Sequence, residues 1–345
     1  MNEYALLLAP SANRVYADAA GRITRAELAV LAGAGVLDGA VDGIAERRIA
    51  GVGYVTFEAT PSPRDLDRLA NLSAAYALFE RVGDDLLRPV PLHPLQRFDD
   101  DLITIPKYAG KTNEQFTRLL LNVTLLASAS ASGMLDRQLV VLDPLCGRGT
   151  TLNQALMYGY DAIGVELDGK DVDAYSAFLR TWLKRKRLKH TAETTPVRRE
   201  RRLVARRFEA VLAGSKDDYR SGATQRVTVL HGDTTRARDF LRAGCADVVV
   251  ADAPYGVAHG SRTEQGLSRR PLDLLAAAVP VWAELLRPGG ALGISWNTHV
   301  ARRDQAAAVL ADAGLVPVAG PGYLDLSHRV DQAIERDVLV ARKPG

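Results

Sequence analysis

The spacing of apolar residues divides the chain at about residue 100. Before that point, short apolar runs are separated by polar turns. Tyr4–Ala9 reads as one strand, Ile49–Glu58 as a second and Leu86–Leu92 as a third. Between them, Thr24 followed three residues later by Glu27 has capping-box spacing and predicts a helix through Leu31. Ser62 and Pro63 place a cap and a first-turn proline, predicting a helix to about Arg81. This order predicts a small ferredoxin-like α+β domain over residues 1–95. Pro89, Pro91 and Pro94 then mark a linker.

From residue 100 onward apolar strands alternate with amphipathic helices. Strands are expected at Leu139–Leu142, Ala162–Glu166, Arg226–Leu230, Ala246–Ala251 and Ala291–Trp296. Helices are expected at Asn113–Ser128, Thr150–Tyr158, Asp171–Arg187 and Arg302–Ala313. Terminal strands near Leu315–Val318 and Arg336–Lys343 would close the sheet as an antiparallel pair. The alternation predicts an α/β fold, a Rossmann-like seven-stranded sheet spanning residues 100–345.

Composition narrows the class. With 47% hydrophobic and 25% charged residues, this is ordinary globular material. Cys146 and Cys245 make no disulfide framework, and no Cys/His cluster has zinc spacing, so no metal is expected. The amino terminus lacks the basic and apolar regions of a secretory signal, and no apolar run reaches the ~20 residues of a membrane span. A soluble, cytoplasmic protein without a membrane partner is expected.

The net charge of +3 is unevenly spread. Residues 184–226 hold 14 basic and 5 acidic residues, a local charge of +9. They interrupt the alternation where a connection of about 2–6 residues is usual. Arg198, Arg202 and Arg206 are four apart, so a helix would align them on one face for nucleic-acid phosphates. A solvated helix with ion pairs to Glu193, Glu200 and Glu209 is the competing reading.

The candidate chemistry begins at Asp143-Pro144-Leu145-Cys146-Gly147-Arg148-Gly149-Thr150-Thr151. A strand runs into a glycine turn that lets backbone approach a ligand, and a helix follows. Glu166 ends the second strand, 17 residues after Gly149, where an acid can accept hydrogen bonds from two ribose hydroxyls. Asp233, after the third strand, can read an adenine amine. Asp143, Cys146, Gly147, Gly149, Thr150, Glu166 and Asp233 together fit S-adenosylmethionine. NAD fits less well, because Leu152 stands where the third glycine of its fingerprint would be. No Gly-Lys-Ser/Thr follows, which excludes a P-loop. Cys146 is expected to line the cofactor rather than act as a nucleophile.

Asp252-Ala253-Pro254-Tyr255-Gly256 follows the fourth strand. An exocyclic amine is a poor nucleophile because its lone pair is delocalised into the ring. The Asp252 carboxylate and a backbone carbonyl at Ala253 or Pro254 could accept its hydrogens, while Tyr255 offers a stacking face for a base. His259 and His299 follow strand ends, and loop hydrogen bonding is the preferred reading for both.

DPLCGRGTT, GVELD, HGD and DAPYG, in this order, resemble the amino-methyltransferases with a (D/N)PP(Y/F) motif. The nearest likeness is to the THUMP-associated tRNA guanine-N2 methyltransferases, whose motif is DPPYG. The segment 107–125, the tail 327–343 and the N-terminal α+β unit are also similar to theirs. The resemblance implies a methyltransferase sheet, S-adenosylmethionine as methyl donor, catalysis by Asp252, Pro254 and Tyr255, and tRNA as substrate. Two departures stand out: Ala253 replaces the first proline, and about 100 residues are too few for a THUMP domain as well. A DNA adenine-N6 or cytosine-N4 methyltransferase is the second reading and would want a target-recognition domain. A non-catalytic RNA- or S-adenosylmethionine-binding module would want a damaged motif. A small-molecule or protein N-methyltransferase would not need the basic insertion.

Overall fold

The computed structural model describes residues 1–345 apart from Ala12, Asp84, Asp85, Ala109 and residues 254–270. Pro254, Tyr255 and His259 therefore lie outside the described residues.

The N-terminal unit contains β1 (Asn2–Leu8), α1 (Arg14–Gly33), β2 (Val41–Ile49), β3 (Val52–Ala59), α2 (Pro63–Leu69), β4 (Ala75–Val82) and β5 (Leu86–Val90). Its sheet order is β2-β3-β1-β4-β5, and all the pairings are antiparallel. Two of the helices depart from expectation. Helix α1 starts ten residues earlier than Thr24, where the Asn13 side chain accepts the Tyr16 N–H at 3.2 Å. Thr24 is thus buried in mid-helix and caps nothing. Glu27 is fully buried and accepts from the Ser73 backbone at 2.9 Å and from Asn122 Nδ2 at 2.7 Å. Helix α2 has its capping box between Ser62 and Asp65, but it stops at Leu69. The Asn71–Ala74 turn reverses the chain there, and the expected second half of the helix is β4.

The catalytic-type domain follows. In order it has α3 (Asp101–Thr104), α4 (Glu114–Ala127), β6 (Val140–Asp143), α5 (Thr150–Met157), β7 (Asp161–Glu166), α6 (Gly169–Arg185), β8 (His190–Arg199) and β9 (Arg202–Leu212). Then come α7 (Lys216–Ser221), β10 (Gln225–His231), β11 (Ala246–Asp252), α8 (Pro271–Leu285), β12 (Leu286–Asn297), α9 (Arg303–Asp312), β13 (Val316–Pro317), β14 (His328–Arg329) and β15 (Glu335–Arg342). The sheet runs β13-β15-β12-β11-β6-β7-β10-β9-β8, with β14 beside β15. Strands β10, β7, β6, β11 and β12 are parallel, and β15 is antiparallel to β12. The seven strands from β10 to β13 form the Rossmann-like sheet. Chain order reverses between β6 and β11, which opens a crevice at the carboxyl ends of the strands.

Side-chain alternation explains why both faces are covered. On β11, Val248 and Val250 enter the core under α4 and α5, whereas Val249 and Ala251 enter the core with Trp282 of α8 and Leu310 of α9. Each of the valines contributes about 1.5–3 kcal/mol on burial. Helix α4 is buried from Phe116 to Ala127 except for the half-buried Arg118, and its polar Asn122 and Arg118 are paired with Glu27 and Tyr158, as polar groups inside a helix between layers must be. It presses close to β12, because a Cβ at Gly293 would fall 1.8 Å from Thr124 Oγ1.

The part of the basic insertion that carries Arg198, Arg202 and Arg206 is not a helix. It is the hairpin β8–β9, which pairs with β10 and extends the seven-stranded sheet. Pro196 and the β-forming Thr191, Thr194, Thr195 and Val197 disfavour a helix. Glu200 and Arg201, at φ 49° and 66°, close a two-residue turn. Strand geometry then separates the three arginines. Arg206 lies opposite Pro196, and Arg198 shares the Pro196 face, whereas Arg202 lies opposite Arg199 on the other face. Arg206 pairs with Asp173 of α6 at 2.8 Å.

Candidate functional site

The candidate site lies at the carboxyl ends of β6, β7, β10 and β11. Gly147 and Gly149 turn the chain out of β6 with φ 47° and 80°. Both are in the left-handed region that glycine tolerates. At Gly149 a Cβ would also fall 2.4 Å from the Tyr175 ring, so a larger residue would push the turn off α6. Thr150 opens α5, and its hydroxyl lies 2.8 Å from the Tyr108 hydroxyl. Arg148 stacks over the Tyr108 ring at 5.1 Å and donates to Asp171 at 2.8 Å.

Glu166 is joined to this turn. Its Oε2 accepts the Gly147 N–H at 2.9 Å and its Oε1 the Asp168 N–H at 2.8 Å. A carboxylate has about four lone-pair positions. Two backbone donors fix the plane of the group and leave capacity for a diol. Burial pushes the Glu166 pKa up, against the pull of these backbone bonds. Asp233 begins the turn after β10, where His231 is in register with Glu166. Its Oδ1 accepts from the Thr235 backbone at 2.9 Å and hydroxyl at 2.7 Å, so it caps the short helix that follows.

Asp143 is buried, and its Oδ1 accepts the Leu145 N–H at 3.0 Å. Burial, helped by the charges of Asp252 and Glu166, pushes its carboxyl up to about 7. Cys146 is buried between the turn and β7; a Cβ at Gly164 would fall 2.6 Å from its Sγ. Burial raises its thiol pKa well above the ordinary value, which suits a wall residue and not a thiolate nucleophile.

Asp252 ends β11 and is approached from three sides. Ser295, its register partner on β12, donates to Oδ1. Thr112, in the segment leading into α4, donates to Oδ2. Arg336 of β15 lies 3.8 Å from Oδ2 and stacks over Phe116 at 4.1 Å. Thr112, Ser295, Arg336 and Tyr108 were not singled out by sequence reasoning. A polar Ser295 inside an otherwise apolar strand is one signal for this group, and segment 107–125 and the tail 327–343, which hold Tyr108, Thr112 and Arg336, are another.

The structure therefore gathers Asp143, Cys146, Gly147, Gly149, Thr150, Glu166, Asp233 and Asp252 at one rim. Arg198, Arg202 and Arg206 lie away on the added hairpin. The charges of Glu166 and Asp252 both reach the buried Asp143 carboxyl across the crevice. A set of acceptors of this sign suits a ligand carrying an ammonium and a sulfonium. The sheet order, glycine turn and acid at the tip of β7 define a methyltransferase domain that uses S-adenosylmethionine.

Residues 121–274, a little under half of the chain, match the family model described as "UPF0020: RMKL-like, methyltransferase domain". Solved structures similar to this chain include TrmN from Thermus thermophilus, at 13% identity over 99% of this chain and 100% of that one, TM-score 0.45. Others are a TehB-like SAM-dependent methyltransferase from Corynebacterium glutamicum (17% identity, 62% and 85% covered, TM-score 0.33) and the N-methyltransferase NodS from Bradyrhizobium japonicum (13% identity, 67% and 96% covered, TM-score 0.38). No curated protein matches the sequence. Among the described residues, no helix is long and apolar enough to cross a membrane.

Proposed function

We propose that this enzyme methylates the exocyclic N2 of guanine in RNA, with tRNA as the substrate. The observation that carries the reading is Asp252, held by the Thr112 and Ser295 hydroxyls at the end of β11. It stands beside the rim that would hold the methyl donor. When bound, S-adenosylmethionine supplies an electrophilic methyl group on its sulfonium. Asp252 would accept an N–H of the substrate amine, turn its lone pair outward to attack, and take the proton that the nitrogen sheds as it is methylated and the sulfur leaves as a neutral thioether, while the backbone carbonyl at Ala253 or Pro254 would accept the second hydrogen. Tyr255 stacks on the base. Because the displacement is in line, positioning does most of the work.

Glu166 and Asp233 would bind the ribose and adenine of the cofactor, and Asp143, Cys146, Gly147, Gly149 and Thr150 its methionine side. The basic hairpin supports a polyanionic substrate: Arg198 and Arg202 stand on its two faces and can meet phosphates. Guanine and tRNA are favoured by the likeness of DAPYG, the N-terminal α+β unit and the tail to the tRNA guanine-N2 enzymes. Mass spectrometry of nucleosides from a deletion strain tests the proposal. Loss of one N2-methylguanosine from tRNA is the expected result. Intact RNA modification with a methylated base missing from DNA would overturn it.

A further inference from the structure

A cavity of about 220 Å3 lies next to Asp252, between α1 and the segment from β14 to β15. Asn13 and Tyr16 line it from the N-terminal unit, and Lys111, Thr112, His328 and Arg336 from the catalytic domain. Thr112 and Arg336 are two of the groups around Asp252, so the cavity adjoins the point where the amine would sit. A volume of several waters suits part of a nucleoside.

His328 is the unusual member. It is 3% exposed, and its ring is held at 5.6 Å from Tyr16 and 5.1 Å from Phe116. Nδ1 lies 3.0 Å from the Leu326 carbonyl oxygen. A carbonyl only accepts, so Nδ1 carries the hydrogen and Nε2 presents a lone pair. That Nε2 is buried and has no hydrogen-bond partner among the described residues. Burial, together with the cationic Arg336 and Arg22, lowers the His328 pKa to about 4, against the Leu326 bond and the Asp252 charge. The ring is neutral at pH 7, and its open acceptor is permanent there. A buried acceptor without a donor is costly unless a ligand completes it.

We propose that this cavity receives part of the substrate nucleoside and that His328 Nε2 accepts a hydrogen bond from it, making His328 a specificity-determining residue. The inference rests on the reading of Asp252 as the amine-binding residue. The donor is an N–H or O–H close to the methylated amine. Guanine offers N1–H on the ring, and the nucleoside offers the ribose 2′-OH. Adenine and cytosine present a ring lone pair beside their amine, which Nε2 would repel.

The test compares the wild type with His328→Phe, which keeps a flat ring and removes the acceptor, and with His328→Gln, which restores an acceptor. Methylation is measured on a guanosine-containing RNA, on the same RNA with 2-aminopurine at the target (2-amine kept, N1–H absent), and on the same RNA with a 2′-deoxy target. We expect His328→Phe to lower kcat/KM on the guanosine RNA about tenfold or more, with S-adenosylmethionine affinity unchanged, a melting temperature lowered only by the loss of the Leu326 bond, and partial rescue of kcat/KM in His328→Gln. The loss should vanish on whichever analogue lacks the partner, which identifies base or ribose as the donor. Equal activity of wild type and His328→Phe, or an equal loss on all three RNAs, would overturn the assignment and leave the reading of Asp252 standing. A wild type inactive on guanosine RNA would take down both. If His328→Phe does not fold, the wild-type Nε2 nitrogen resonance replaces it. It should move upfield on adding guanosine 5′-monophosphate, and an unmoved resonance would equally overturn the proposal.

Discussion

Gly147 donates its backbone N–H to Oε2 of Glu166 at 2.9 Å, so the glycine turn and the acid of the proposed cofactor site are already tied together. The turn after β6 and the tip of β7 thus hold their relative positions without the ligand, and less ordering remains to be done on binding.

Glu166→Ala should weaken S-adenosylmethionine binding. Removing a charged acceptor costs ~1.5–3 kcal/mol per hydrogen bond, and water recovers part of that. The Gly147 and Asp168 N–H groups also lose their partner. Calorimetry should show Kd rising by roughly tenfold to a hundredfold. An unchanged Kd would remove Glu166 from the cofactor site.

Asp252→Ala should separate binding from chemistry. Its carboxylate is oriented by Ser295 and Thr112, and the proposed role is to act on the amine. We expect S-adenosylmethionine affinity to stay within a few-fold and kcat to fall about a hundredfold or more, the usual loss for one oriented transition-state group. Ser295→Ala should fall in the same direction by less. Loss of cofactor affinity in step with kcat would make Asp252 a cofactor residue.

The Asp143 carboxyl sits near pH 7 because it is buried beside Asp252 and Glu166. Its folded pKa is raised above the ordinary carboxyl value of 3.8. Its contribution to stability is therefore complete below pH 3.8 and is lost as pH rises through about 7. A cationic ligand favours the charged carboxylate and lowers that pKa, so binding releases a proton. Affinity for S-adenosylmethionine should accordingly rise between pH 6 and 8, as read by calorimetry in buffers of different ionisation enthalpy. Asp143→Asn should flatten the profile. Proton uptake on binding would contradict this placement of the charge.

Replacing Arg198 and Arg202 by Gln should weaken RNA binding and reduce the log–log salt slope by ~0.7 per lost single-strand phosphate contact. Arg206 should matter less, because Asp173 holds it at 2.8 Å. An unchanged slope would leave the hairpin as a sheet extension that does not touch RNA.

The sequence made the parallel strands and the rim residues readable because both depend on local order. An apolar run, a glycine turn and a strand-ending acid lie within a few residues of one another. The hairpin misled because its charges repeat every four residues, a helical spacing, while its turn uses Glu200 and Arg201 instead of Asn-Gly. Glu27 misled because its spacing from Thr24 imitates a capping box, although its carboxylate is spent on Ser73 and Asn122. The surroundings of Asp252 were hidden for a different reason. Thr112, Ser295 and Arg336 come from distant segments and meet only when β11, β12 and β15 are laid side by side.

The most direct measurement incubates purified enzyme and labelled S-adenosylmethionine with bulk tRNA, followed by nucleoside analysis. The account predicts label in N2-methylguanosine, abolished by Asp252→Ala. Label in N6-methyladenine or N4-methylcytosine, or transfer to DNA alone, would contradict it.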